Sequence, residues 1–182
     1  MLGFALGLLA SNAAEWAVHK YVLHGLGKKK GTFWAFHFHE HHKNVRKNGG
    51  RDAMYERPFW EAPSKSKEAF GLIATAAVSL PLLPISPGFV AASWLHSGAY
   101  YVLHKKAHLE PEWARKWLPW HVDHHMGPDQ DKNWCVTHPL FDWIMGTRQP
   151  WVGTPAEAET RARVAARAAA PAPVAAPSAA AA

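Results

Sequence analysis

A chain of 182 residues accommodates one domain of ordinary size and is too short for two. Thirteen histidines against a single Cys135 exclude an intrachain disulfide framework and a cysteine-rich zinc site, so any metal must rest on imidazoles and carboxylates. The formal charge of +6 accompanies no RNA- or DNA-binding motif, so no nucleic-acid partner is expected. The basic residues instead flank apolar stretches, and ten Trp with four Tyr suit a membrane–water boundary.

Leu2 to Ala14 is apolar, with Glu15 the only acid, and reads as a first helix over 2–24 carrying His19 and His24 near its end. Gly25 and Gly27 stop it. No charged leading region precedes it, so the stretch is expected to stay as an anchor. A second segment over 33–47 holds Phe36-His37-Phe38-His39-Glu40-His41-His42-Lys43 and breaks at Gly49-Gly50. From Arg51 to Lys67 the chain is polar, with Pro58 and Pro63, and reads as a surface loop. The longest apolar region, 69–103, is divided by Pro81, Pro84 and Pro87, which predicts a helical hairpin with arms over 66–83 and 88–108. Each arm is short of the ~20 apolar residues of a full span, so the hairpin is expected thin or tilted.

A helix over 112–126 ends in Trp120-His121-Val122-Asp123-His124-His125. Asn133 to Pro139 is irregular and precedes a short helix at Leu140–Met145. After Thr154 the composition turns to Ala, Pro and Arg, and 154–182 is expected to be a disordered tail. Lys28–Lys30, Lys43, Arg46, Lys47, Arg51, Lys105, Lys106, Arg115 and Lys116 lie at the histidine-bearing ends of the apolar stretches, and the opposite ends carry none. That bias predicts an all-α integral membrane protein with a histidine-rich helical cap at the cytoplasmic face.

The histidines fall into four clusters. His121, His124 and His125 lie within an arc of about 100° on one helix, and His104 and His108 within about 40°. His19 and His24 would diverge by about 140° on an unbroken helix, so His24 is placed where the helix ends. In the second cluster His37 and His41 are about 40° apart, His42 about 100° further on, and His39 about 160° from His41. A pairing of His39 with His42, about 60° apart, is also allowed. His96 and His138 stand apart. Imidazole is largely unprotonated near neutral pH and is the commonest side-chain metal ligand. A pair of metals removes both the mutual repulsion of protonated rings and the need of neutral ones for many hydrogen-bond partners. All-imidazole ligation suits iron, zinc, copper or nickel. Asp123 and Asp142 are expected to accept an outer N–H from the ligating rings or to anchor the chain beside them, and His138 is a further neighbour of this kind.

At these positions the chain resembles the fatty acid hydroxylase and sterol desaturase superfamily of membrane di-iron oxygenases. The likeness lies in His19…His24, His37…His41-His42, His104…His108 and His121…His124-His125. The ending Val136-Thr137…Phe141-Asp142-Trp143…Gly146-Thr147 belongs to it too, and together they cover roughly residues 10–150. The resemblance implies a hydroxylase-like domain over 1–153 holding two iron ions, with zinc as the substitute in isolated protein. It implies His19, His24, His37, His41, His42, His104, His108, His121, His124 and His125 as ligands, and it selects His37 over His39 in the second cluster, leaving His39 to support the ligands from behind or to lie at the interface. It further implies dioxygen-dependent hydroxylation or desaturation of a C–H bond in a fatty acyl chain, sphingoid base or sterol. No His-Pro-Gly-Gly motif of a fused cytochrome domain is present, so a separate reductase, ferredoxin or cytochrome is the expected electron donor.

Two features depart from the family. Phe38 lies where a shorter box would hold its spacing, so the second box fits only with three intervening residues, and the chain is more compact than larger relatives. The segment His19-Lys20-Tyr21-Val22-Leu23-His24-Gly25 is also similar to the first box of carotenoid ring hydroxylases, which makes ring hydroxylation the alternative activity. A histidine-rich metal transporter is the third reading, and it calls for ionisable groups along a mid-membrane path rather than clusters at one end.

Overall fold

Free of proline and rich in Leu and Ala, the N-terminal stretch winds as helix α1 (Leu2–Ala17). It lies along α4 (Pro87–Leu109), with Gly3 beside Ser86, Gly7 beside Phe89, Ser11 beside Ser93 and Glu15 beside His96, so the two helices run parallel. The structure, a computed structural model, describes residues 1–169, and those residues contain helices and no strand. Met1–Val152 form one compact unit, and the described residues from Gly153 onward belong to a second.

The contact between α1 and α4 depends on small residues. A Cβ on Gly7 would stand 2.6 Å from the carbonyl oxygen of Phe89 and 2.8 Å from Cβ of Ala92. The α3 helix (Pro63–Ala77) packs on α4 as well. Between α1 and α3 the chain carries two π-helical segments, π1 (Val18–Leu26) continuing α1 and π2 (His37–His42) leading into α2 (Lys43–Lys47). Beyond α4 come α5 (Pro111–Trp117), α6 (Pro119–Met126) and α7 (Leu140–Ile144). In α3, α4, α5 and α6 proline occupies the first turn, where its missing N–H has no helical partner to lose. Two small apolar clusters flank the centre, one of Trp16, Trp134 and Cys135, the other of Ala107, Ala114 and Leu118. Between them the interior is imidazole.

Several expectations are corrected. The integral membrane architecture and the cytoplasmic-face location fail, because no helix among the described residues is long and apolar enough to cross a membrane. At 16 and 15 residues, α1 and α3 fall short of the ~20 needed, and α3 opens on Ser64-Lys65-Ser66-Lys67-Glu68. The 23 residues of α4 are sufficient in length, but His96, His104, Lys105, Lys106 and His108 break its apolar run. The sidedness drawn from the basic residues loses its basis with the spans. The expected helix over 112–126 is two, since the residue before Pro119 leaves the helical region and Leu118 is extended in φ. The stretch expected as a surface loop, Arg51 to Lys67, instead forms short 3₁₀ turns at Ala53–Glu56 and Phe59–Glu61 and buries Asp52, Tyr55, Ala62 and Lys65.

In the second unit, Pro155–Ala169 is a helix (α8) where disorder was expected. Its alanines are the best helix formers, and Glu157 and Glu159 precede Arg161 and Arg163 by four residues. The rest of the expected tail, 170–182, lies outside the described residues.

The close approach of α1 and α4 yields a stability prediction. Alanine at Gly7 gains about 1 kcal/mol of helix propensity, but overpacking against backbone costs about 1–3 kcal/mol. The backbone atom cannot rotate away, so the clash should win. Gly7→Ala should lower the denaturant midpoint of unfolding, and an unchanged or raised midpoint would mean that the helices do not meet there.

Candidate metal centre

The ten histidines expected as ligands are all buried, none more than 3% exposed. Nine of them form two groups. His19, His24, His37, His42 and His124 bring one ring nitrogen each to within 4.8 Å of one another, and His41, His104, His108 and His125 do the same. His121 stands at the edge of the second group, its Nε2 3.0 Å from that of His108. His39 lies outside both, its Nε2 3.0 Å from the carbonyl oxygen of Lys28. His138 is outside as well, its ring against Trp120 and Trp143.

The local winding explains which residues meet. His19 and His24 are five apart, as are His37 and His42, and both pairs sit in π-helical segments. A π-helix bonds residue i to i+5, so it stacks such pairs on one face where an α-helix would splay them. His24 is therefore not placed by a helix end, and His37 shares its group with His42 rather than with His41. The two His-His doublets divide in the same way. His42 and His124 belong to the first group while His41 and His125 belong to the second, because adjacent helical residues point about 100° apart. On α4, His104 and His108 are one turn apart and share the second group.

Proton placement follows from what each outer nitrogen faces. Nδ1 of His19 faces the carbonyl oxygen of Trp134, that of His124 the carbonyl of Lys132 at 2.7 Å, and that of His108 the carbonyl of Gly50 at 3.0 Å. His41 Nδ1 is 3.0 Å from Asp52, His24 Nδ1 3.4 Å from Asp131, and His104 Nδ1 contacts Glu68. An oxygen acceptor at Nδ1 requires the proton there in a neutral ring and leaves Nε2 a bare lone pair. Nine of the ten rings are held neutral. Burial above all, and then neighbouring histidines, push His19, His37, His42, His108, His121, His124 and His125 well below the usual imidazole range. Burial, then Lys65, does the same to His41, and burial with His19 and Lys28 brings His24 to about 2.

The inner nitrogens of the two groups face each other. Nε2 of His42, whose Nδ1 faces the Gln130 amide nitrogen at 2.9 Å, is 3.1 Å from Nε2 of both His24 and His124 and 3.2 Å from that of His37, so its one N–H can serve only one of the three, and Nε2 of His104 and His108 are 3.1 Å apart. Both His104 and His108 have an oxygen acceptor at Nδ1, which turns their Nε2 atoms toward each other. No described residue satisfies His41 Nε2 or either nitrogen of the buried His125. A cation in each group removes the conflict. Two nitrogens each about 2.1 Å from one ion, at an angle of about 90°, lie about 3.0 Å apart, which is the spacing here. The donor set therefore fits two ions of the kind that imidazole prefers: iron, zinc, copper or nickel.

Asp123 and Asp142 touch no imidazole among the described contacts and act as anchors. Asp123 Oδ1 accepts from the backbone N–H groups of Trp151 and Val152, and Arg148 stands 2.7 Å from Oδ2. Asp142 accepts from the N–H groups of Trp134 and Cys135 and from the Thr147 hydroxyl, so it fixes the loop whose carbonyl meets His19. The carboxylates that do orient imidazoles were not singled out in the sequence. Asp52 holds His41 and is itself paired with the buried Lys65 at 3.0 Å. Glu68 holds His104 and accepts from the Tyr55 hydroxyl at 2.6 Å. Burial would raise Glu68, but the His104 ring, Lys65 and the Tyr55 hydroxyl outweigh it and hold the carboxyl below its ordinary value. None of Asp52, Tyr55, Lys65 or Glu68 shows a spacing that separates it from ordinary loop polarity; only their proximity in sequence to the second histidine box hinted at them.

No family model, curated protein or solved structure matches this chain. Fold and site together define it as an all-helical protein enclosing two adjacent polyhistidine groups.

Separate groups imply separable ions. His24→Ala and His108→Ala should each lower bound metal from about two ions per chain to about one, while His39→Ala should keep both. Elemental analysis of the purified variants reads this directly. Loss of all metal in either single variant, or a loss at His39 equal to that at His24, would contradict the division.

Proposed function

We propose that this chain is an oxidoreductase that uses dioxygen and two externally supplied electrons, at a pair of iron ions held by the two histidine groups, to oxidise a C–H bond of an apolar, lipid-class substrate. The observation that carries the reading is a cavity of about 540 Å³ between α1, α3 and α4, walled mainly by apolar side chains, into which His19 and His37 of the first group and Glu68 beside the second are exposed. Its size lies within the usual range for small-molecule sites. A metal store or transporter has no use for an apolar chamber against its ligands.

Iron bound in the two groups would supply the activation of dioxygen. The chain's own residues supply the rest. Val18, Val22, Leu23, Trp34 and Phe36 line the cavity beside His19 and His37 and keep bulk water from the reacting C–H bond. Glu68 remains ionised at the cavity wall and is linked to Tyr55, so it is the acceptor and donor of protons nearest both the substrate space and the second group. Hydroxylation consumes R–H, dioxygen, two electrons and two protons and yields R–OH and water. Desaturation consumes the same oxidant, electrons and protons, removes two hydrogens from adjacent carbons and yields two waters. Either balance requires an electron donor outside the chain, such as a reductase, ferredoxin or cytochrome.

The test is a single-turnover reaction. Iron-loaded protein, reduced chemically and exposed to dioxygen in the presence of a lipid extract, should give a product heavier by one oxygen or lighter by two hydrogens in mass spectrometry. Zinc-loaded protein should give none. Equal, background-level product from fully loaded iron and zinc forms would refute the redox reading.

A further inference from the structure

The cavity is not uniformly apolar: besides His19 and His37 its wall carries a band made of Ser11, Glu15, Ser93, His96 and Ser97. Most donors in this band are already committed. The Ser11 hydroxyl donates to Ser93, and Ser93 to the carbonyl of Phe89. Glu15 collects the N–H groups of Val136 and Thr137, the Thr137 hydroxyl, Asn12 Nδ2 at 3.1 Å and His96 Nε2 at 3.0 Å. A carboxylate surrounded by donors accepts from each of them. His96 must therefore carry a proton on Nε2, and in the neutral ring this leaves Nδ1 as an acceptor. No described residue gives that nitrogen a hydrogen bond, and the residue borders the cavity, with its side chain 12% exposed.

We propose that this band is a recognition site for the hydroxyl group of an otherwise apolar ligand, in which the ligand O–H donates to His96 Nδ1 while its hydrocarbon part fills the cavity toward His19 and His37. Glu15 is the positioning residue, since it fixes the tautomer of His96 and sets its ring. Glu15, which holds His96, lies one turn, about 6 Å along the axis, before His19, and on α4 His96 lies about 12 Å before His104, so a ligand anchored at His96 presents hydrocarbon rather than its hydroxyl to the histidine groups. Selection of hydroxylated substrates for the oxidation rests on the function proposed above; the recognition itself does not.

Zinc-loaded protein keeps the test independent of oxygen chemistry. A fluorescent apolar probe bound in the cavity is displaced with 1-decanol and, separately, with its methyl ether, which has the same chain and no donor. One added neutral hydrogen bond favours the alcohol by about threefold to tenfold. His96→Leu should abolish that preference while leaving the affinity of the ether unchanged. His96→Gln, which keeps a donor for Glu15 and an acceptor beside it, should restore the preference. Equal affinities of alcohol and ether in the native protein would overturn the proposal without need of any variant, and so would a preference that survives in His96→Leu. If the native protein discriminates while the iron-loaded form oxidises nothing, the recognition site stands and the oxidation falls.

Discussion

Nine imidazoles turn their nitrogens toward two points inside this protein, and most carry their protons on the far side of the ring, against oxygen acceptors. Ring nitrogens packed at 3.0–3.2 Å have too few N–H groups among them to satisfy one another, and buried unsatisfied nitrogens are costly to leave without a partner. Two cations would relieve that conflict. Metal binding and folding would then be one equilibrium rather than two, as in other small domains whose centre is a metal site. The apolar clusters around Trp16 and Ala107 are too small to replace it.

Much of the surrounding architecture serves to aim these rings. The π-helical winding brings pairs five residues apart onto one face. Arg46 of α2 donates to the carbonyl oxygens of His125 and Gly127, tying the second histidine segment to the end of α6 and satisfying carbonyls that a helix C-terminus leaves open. Asn133, the one non-glycine residue with positive φ among those described, turns the chain so that the Trp134 carbonyl meets His19. Its side-chain oxygen accepts from Arg148 and from the Gln149 N–H, which holds that turn. Asparagine tolerates this conformation better than most residues.

The α-helical pair His104 and His108 was legible in the sequence, because 3.6-residue geometry applies to it, but His121, His124 and His125, read as three rings side by side, divide, with His124 in the first group, His125 in the second and His121 at its edge. The pairs at spacing five were not. Nothing in His19…His24 or His37…His42 announces π winding, so ideal angles splayed partners that in fact converge. The orienting carboxylates Asp52 and Glu68 were hidden for a different reason. Charged residues between Arg51 and Glu68 look like solvated loop, and only long-range contacts with α4 and the second histidine segment reveal that Asp52 and Lys65 are interior. The membrane architecture was misread because the apolar lengths of α1, α3 and α4 each approach a span. Among the residues that interrupt them, Glu15, Glu68 and His96 line the cavity, and Lys65, His104 and His108 belong to the histidine site and its supports.

X-ray absorption of the iron-loaded protein tests the central claim most directly, since the signal comes from the metal's own neighbours. Iron in both groups should show imidazole nitrogen at about 2.1 Å, the outer-ring scattering that imidazole produces, and no sulfur. A shell dominated by water or carboxylate oxygen without imidazole scattering would contradict the account, because the converging nitrogens would then not be what holds the metal.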